Sequence, residues 1–136
     1  MDQIPDRSAE WVLGTLREIV ELVEKGKAEQ AVEFMEPVVK ELPEASLVHS
    51  YMAWCLSNAG RHREAIEHGR VGVRISPESE LSSIMLFRAL WNAGEHGQAF
   101  DEMKRLTAIG PSEEYDRLMV EWNESKKERG PEGPVQ

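Results

Sequence analysis

The stretch from Leu56 to Pro77 reads LSNAGRHREAIEHGRVGVRISP, and four of its residues set the frame for the whole chain. Leu56, Gly60, Ala65 and Pro77 recur 34 residues earlier as Leu22, Gly26, Ala31 and Pro43, and 34 residues later as Leu90, Gly94, Ala99 and Pro111. Twelve matches in register, without a gap, are not a chance pattern. A fixed period of this length marks a row of stacked helical units, each burying its apolar face against its neighbours.

Between these markers the apolar residues recur at helical spacing. Trp11, Leu13, Leu16, Ile19, Val20, Leu22 and Val23 predict a first helix, with Ser8 as its cap and residues 1–7 as a flexible lead-in. Gly26 falls where that helix must end and the chain reverse, a task for a residue that tolerates positive φ. A second helix is expected from about Lys27 to Glu41, with Pro37 inside it at the cost of one helical hydrogen bond. The third runs from about Glu44 to Asn58, the fourth from His62 to Ile75, the fifth from Ser79 to Asn92 and the sixth from His96 to Ile109. Gly69 and Gly72 each weaken the fourth helix by roughly 1 kcal/mol against alanine, or serve it by letting a neighbouring backbone come close. Ser76 and Pro77 read as cap and first-turn proline of the fifth. Ser112, followed by Glu113 and Glu114, opens a seventh helix bearing Tyr115, Leu118, Met119 and Trp122. Residues 128–136, rich in charge, Gly and Pro, predict disorder.

The totals narrow the function. The chain has 136 residues, enough for one domain with a core of its own, and a net charge of −9. Nucleic-acid binding draws on a basic excess, so this balance argues against it. No apolar run is long enough to cross a bilayer, and the acidic N-terminus is not a secretory signal. The lone Cys55 fits a reducing compartment, so a cytoplasmic protein is expected. None of His49, His62, His68 and His96 has a second histidine three or four residues away, the spacing that aims two ligands at one ion. Cys55, between Trp54 and Leu56 on an apolar helix, reads as an inert core thiol. No glycine-rich phosphate loop is present. No enzyme activity, cofactor or metal is therefore expected. Arg63, Glu67, Arg70 and Arg74 form one stripe, and Glu29, Glu33, Glu36 and Lys40 stand in the equivalent places one unit earlier. Solvated pairs between units, each worth about 0–1 kcal/mol, explain this; a basic patch for an acidic partner is the rival reading.

From Val12 to Glu113 the pattern resembles the tetratricopeptide repeat family, in units 12–45, 46–79 and 80–113, with a capping helix over 112–127 inside a domain of residues 8–127. The turn glycine, the small residue of the second helix and the closing proline all fall in the family's places. The resemblance implies an all-α fold, a right-handed α-α superhelix of about seven antiparallel helices. The sequence departs from the family where Thr15, His49 and Ser83 replace its first-helix tryptophan. It departs again where Ile19 and Phe87 replace a small residue kept only as Ala53, and where Met35, Gly69 and Met103 replace an aromatic.

The resemblance also implies a concave groove lined by the first helix of each unit. Place two carries Leu13, Leu47, Leu81 and Tyr115; place five carries Leu16, Ser50, Ile84 and Leu118. Place nine carries Val20, Trp54, Arg88 and Trp122; place twelve carries Val23, Ser57, Trp91 and Ser125. The family's best-known peptide binders carry Lys, Arg and Asn here to clamp a C-terminal carboxylate. Only Arg88, with Asn58 and Asn92 one place further on, approaches that set, which argues against the clamp. The expected peptide-binding surface is instead apolar: Leu13, Leu16, Val20, Leu47, Leu81, Ile84, Leu118 and Tyr115, with Trp54, Trp91 and Trp122 as anchors and Asn58 and Arg88 as polar contacts. Arg88 is expected to stack on Trp54 or Trp122. Leu47 and Leu81 have a second reading, leaning sideways into the core between helices. The function these features imply is a non-enzymatic scaffold for a protein or peptide partner, with no role for nucleic acid or membrane. A chaperone resembling those of type III secretion, holding a hydrophobic secreted subunit, is one alternative; a self-associating homodimer is another.

Overall fold

The computed structural model describes residues 9–129, which form seven helices and no strand. α1 (Ala9–Glu24) packs on α2 (Ala28–Glu41), α3 (Ser46–Asn58) on α4 (His62–Ile75), and α5 (Glu80–Asn92) on α6 (His96–Ile109). α7 (Glu113–Arg129) follows and packs against α5. The expected Ser8 cap and the lead-in lie outside the described residues, as do residues 130–136 of the expected tail. The first two residues of that tail, Glu128 and Arg129, continue α7.

The 34-residue period is above all the period of one turn. Gly26, Gly60 and Gly94 have φ of 78°, 79° and 85°, a region that costs a residue with a Cβ and costs glycine little. After each glycine the next N–H donates back to the repeated leucine: Lys27 to Leu22 O at 2.8 Å, Arg61 to Leu56 O at 2.9 Å and Glu95 to Leu90 O at 2.9 Å. This bond satisfies a carbonyl that the helix end would otherwise leave open. Leucine and glycine recur together because one supplies the core side chain and the acceptor, and the other the reversal.

The start of α5 corrects the sequence reading. Ser79, not Ser76, is the cap, its Oγ accepting the Ser82 N–H at 3.0 Å. Ser76 ends α4 instead: its N–H donates to Gly72 O at 3.0 Å and its Oγ to Ser46 Oγ at 2.9 Å. Pro77 lies outside both helices, and its carbonyl accepts from Arg105 at 2.9 Å. Serines flank the proline on both sides, and either fits the cap rule. Ser112 does open α7, accepting the Tyr115 N–H at 3.1 Å while donating to Glu80 at 2.6 Å.

Two cores run along the row. The first gathers Ile19, Val32, Met35, Val48, Cys55 and Leu56. The second gathers Phe87, Leu90, Leu106 and Tyr115, with Trp91 and Phe100 packed against them. Each large aliphatic or aromatic side chain so buried contributes about 1.5–3 kcal/mol. The two glycines of α4 sit at the joint. A Cβ on Gly69 would lie 3.2 Å from the Leu86 Cα, and one on Gly72 would lie 2.7 Å from Ser50 Oγ. Gly69 thus admits α5 and Gly72 admits α3, so the propensity lost in α4 is offset by close packing. Ser50 and Ser82, both buried, satisfy each other across α3 and α5 at 2.9 Å.

Candidate functional site

The unit length places Trp54, Arg88 and Trp122 at equal intervals on α3, α5 and α7. The structure brings these three side chains to one groove of about 390 Å³, lined also by Asn58, Trp91 and Leu118. The other expected site residues are placed elsewhere. Leu16 and Ile84 are buried, at 8% and 5% exposure, in the first and second cores. Tyr115 is buried at 1%. Leu47 is partly buried and leans into the first core, the second reading its sequence allowed. Val20 and Leu81 are partly buried, and Leu13 is exposed on α1. None of these seven lines the groove. The reason is one of register along the helix. The wall on α3 and α5 is made mostly by their C-terminal turns, from place nine onward. Their N-terminal turns are closed to each other by the Ser50–Ser82 bond.

Ser57, Met85, Phe87, Asn92, Phe100, Met119 and Glu121 complete the lining. Met85 and Met119 stand three residues before Arg88 and Trp122, the spacing that shares one helix face; that was the signal for them. Phe100 belongs to α6, a second helix, which a rule about first helices does not reach.

The rings brace one another. Phe87 stacks on Trp91 with centroids 5.8 Å apart and planes 12° inclined. Phe100 stands edge-on to Trp91 at 5.6 Å and to Trp122 at 5.9 Å. His96 stacks on Trp91 at 4.0 Å. Each such pair is worth about 0.5–1.5 kcal/mol beyond area burial, so the groove wall is held in shape before anything binds. The polar groups are few. Asn58 Nδ2 donates to the Trp54 carbonyl at 2.8 Å, and Asn92 Nδ2 to Ser57 Oγ at 2.8 Å. Arg88 is exposed and, among the described residues, has no hydrogen-bond, ion-pair or ring partner. Its expected stacking is not found: the cation over Trp122 is Lys126, 4.5 Å from the ring centroid.

Tyr115 holds the α7 wall rather than facing the groove. Its hydroxyl donates to the Ser83 carbonyl at 3.2 Å and lies 2.8 Å from Ser83 Oγ. Ser83 Oγ in turn donates to Glu102 at 2.7 Å, and Arg105 grips the same carboxylate at 2.7 Å and 3.0 Å. Burial pushes the Tyr115 phenol well above its ordinary range, so it stays protonated and donating.

No family model and no curated protein matches the chain. Among solved structures, a mutant of MamA is similar over 79% of this chain and 78% of its own, with 19% sequence identity and a TM-score of 0.61. The fold is a tetratricopeptide-like helical repeat.

Other candidates resolve more simply. Arg61 pairs with Glu29 at 3.1 Å and Arg70 bonds Gln98 at 2.7 Å, joining successive units across exposed faces. His62 is partly buried, with its Nδ1 lacking a hydrogen-bond partner. Among the described residues no helix is long and apolar enough to cross a membrane, and no group of three His, Cys, Asp or Glu is placed to hold a metal ion.

Proposed function

We propose that the protein is a non-enzymatic interaction scaffold whose groove between α3, α5 and α7 takes an apolar segment of a protein partner. The segment's hydrophobic side chains would seat against Trp54, Trp91 and Trp122. An acceptor on it, a carboxylate or a backbone carbonyl, would meet Arg88. One observation carries this reading: three indoles from alternate helices, α3, α5 and α7, share a groove of about 390 Å³ with a guanidinium that has no partner among the described residues. Aromatic and arginine side chains dominate binding energy at interfaces, and an unpaired arginine is ready to donate without first breaking an internal bond. The free Cys55 supports a reducing, cytoplasmic setting. A chaperone for a hydrophobic secreted segment would use the same groove, and self-association would fill it with a second copy.

Selection from a phage-displayed random-peptide library tests the proposal. Apolar peptides enriched by the wild-type protein should be lost with Arg88→Glu and with Trp54→Ala, while circular dichroism shows unchanged helicity for Arg88→Glu. Enrichment indifferent to both substitutions would move the site elsewhere. Light scattering that gives a dimer, abolished by Arg88→Glu, would assign the groove to a second copy.

A further inference from the structure

His49 of α3 and His68 of α4 lie 19 residues apart in sequence and meet in the middle unit, with Nδ1 atoms 3.0 Å apart. Their ring centroids are 5.2 Å apart and their planes 24° inclined. His49 is 7% exposed, and its Nε2 lies 2.8 Å from the Pro43 carbonyl oxygen. A carbonyl only accepts, so His49 Nε2 carries a hydrogen. With both rings neutral, His49 Nδ1 is then a bare acceptor, and the shared hydrogen belongs to His68 Nδ1. With one ring charged the bond survives, because an imidazolium on either side still donates to a neutral partner. With both charged, each Nδ1 carries a hydrogen aimed at the other. The bond is gone, and two like charges face each other across 3.0 Å.

We infer that the His49–His68 pair is an acid-sensitive catch on the middle unit, closing α3 onto α4 while at most one ring is charged and releasing them when both are. The surroundings fit a catch that tolerates one proton. On α4 itself, Glu64 and Glu67 favour charge on His68. Glu64 is also held by Arg61 at 2.8 Å. From α2, Glu36 shares with Arg61, Glu64 and His68 a cavity of about 180 Å³. From α5, the residue that meets Gly69 of α4, next to His68, is the apolar Leu86. Against the acids, burial first and the His49 ring second hold His68 below its ordinary value.

The sign of the pH effect follows. In the unfolded chain both rings take protons near the ordinary value of about 6.5, whereas the closed pair admits only one. The folded state therefore binds fewer protons below that pH. Its stability is complete above about pH 6.5 and falls as acid is added. Between about pH 6.5 and 5.5, each withheld proton raises the unfolding constant about fivefold. None of this depends on what the groove binds.

Urea unfolding of the full chain across this pH range tests the catch. The wild-type unfolding constant should rise about fivefold more than that of His68→Gln. Nitrogen NMR of the imidazoles supplies a readout that needs no variant. At neutral pH His49 should show a bare Nδ1 and a protonated Nε2. The inference is overturned if both histidines titrate independently in the folded chain, or if His68→Gln loses stability in acid as steeply as the wild type.

Discussion

The first core is built from Ile19, Val32, Met35 and Leu56, and a cavity of about 180 Å³ lies beside it, lined in part by Val32, Met52 and Leu56. The second is built around Phe87, Phe100 and Tyr115, and the groove beside it is about 390 Å³. The two regions share a turn, a helix length and a period, and differ in the shape of their side chains. Branched and unbranched aliphatic chains fill irregular gaps and close a seam. Planar rings pack at fixed distances and angles, and between three helices such rings leave a slot. A larger recess can therefore open at one end of a row of repeats than at the other with no change in backbone plan.

The sharpest way to break this contrast is to remove a ring. Phe87→Ala should destabilise the protein by about 3–5 kcal/mol, as large-to-small changes in a packed core do, and should loosen Trp91 and Phe100 with it. Met35→Ala, at a comparable cost of about 2–5 kcal/mol, should leave the indole N–H signals of Trp91 and Trp122 largely as they were, while Trp11 and Trp54, which pack on the first core, shift. Urea midpoints give the energies and the four indole NMR signals give the locality. If both variants shift Trp91 and Trp122 equally, the two cores are not separate.

A smaller effect is expected at the joint between the regions. Alanine in place of Gly72 gains roughly 1 kcal/mol of helix propensity. Its Cβ would stand 2.7 Å from Ser50 Oγ, which is already bonded to Ser82. The net expectation is a loss of about 1–3 kcal/mol, reduced when Ser50→Ala is made in the same chain. A neutral Gly72→Ala would show that α3 and α4 are less tightly set than the geometry says.

The smallest change sharpens the comparison at the far end. Tyr115→Phe keeps the ring and removes the hydroxyl that bonds Ser83, at a cost of about 1 kcal/mol. Hydrogen exchange should speed up in α7 and stay unchanged in α1 to α3. Equal acceleration throughout would mean that the row unfolds as one body.

How much of this was legible beforehand follows from where each feature is encoded. The turns and helix bounds were readable because Leu and Gly act within a few residues of each other, as the Leu56–Arg61 bond does. The period put Trp54, Arg88 and Trp122 in one column, and the resemblance to the repeat family turned that column toward a groove. The side chains at place two, and at place five except Leu118, do not line it, because the flank of a first helix that faces the hollow depends on how successive units rotate. That rotation is set by contacts such as Gly69 on Leu86, which no local pattern displays. The His49–His68 pair was invisible for the same reason: a spacing rule sees neighbours on one helix, and these two meet across a hairpin. Ser79 and Ser76 were indistinguishable by type, and only the course of the chain after Pro77 chose between them.

Cys55 is wholly buried in α3, and burial pushes its thiol up to about 12. A sulfur kept protonated and shielded in this way is chemically silent toward alkylating reagents. It answers only in the moments when α3 parts from its neighbours. The chain thus carries a native stopwatch: the pace of its modification counts how often the middle of the row breathes, with no dye or engineered label attached.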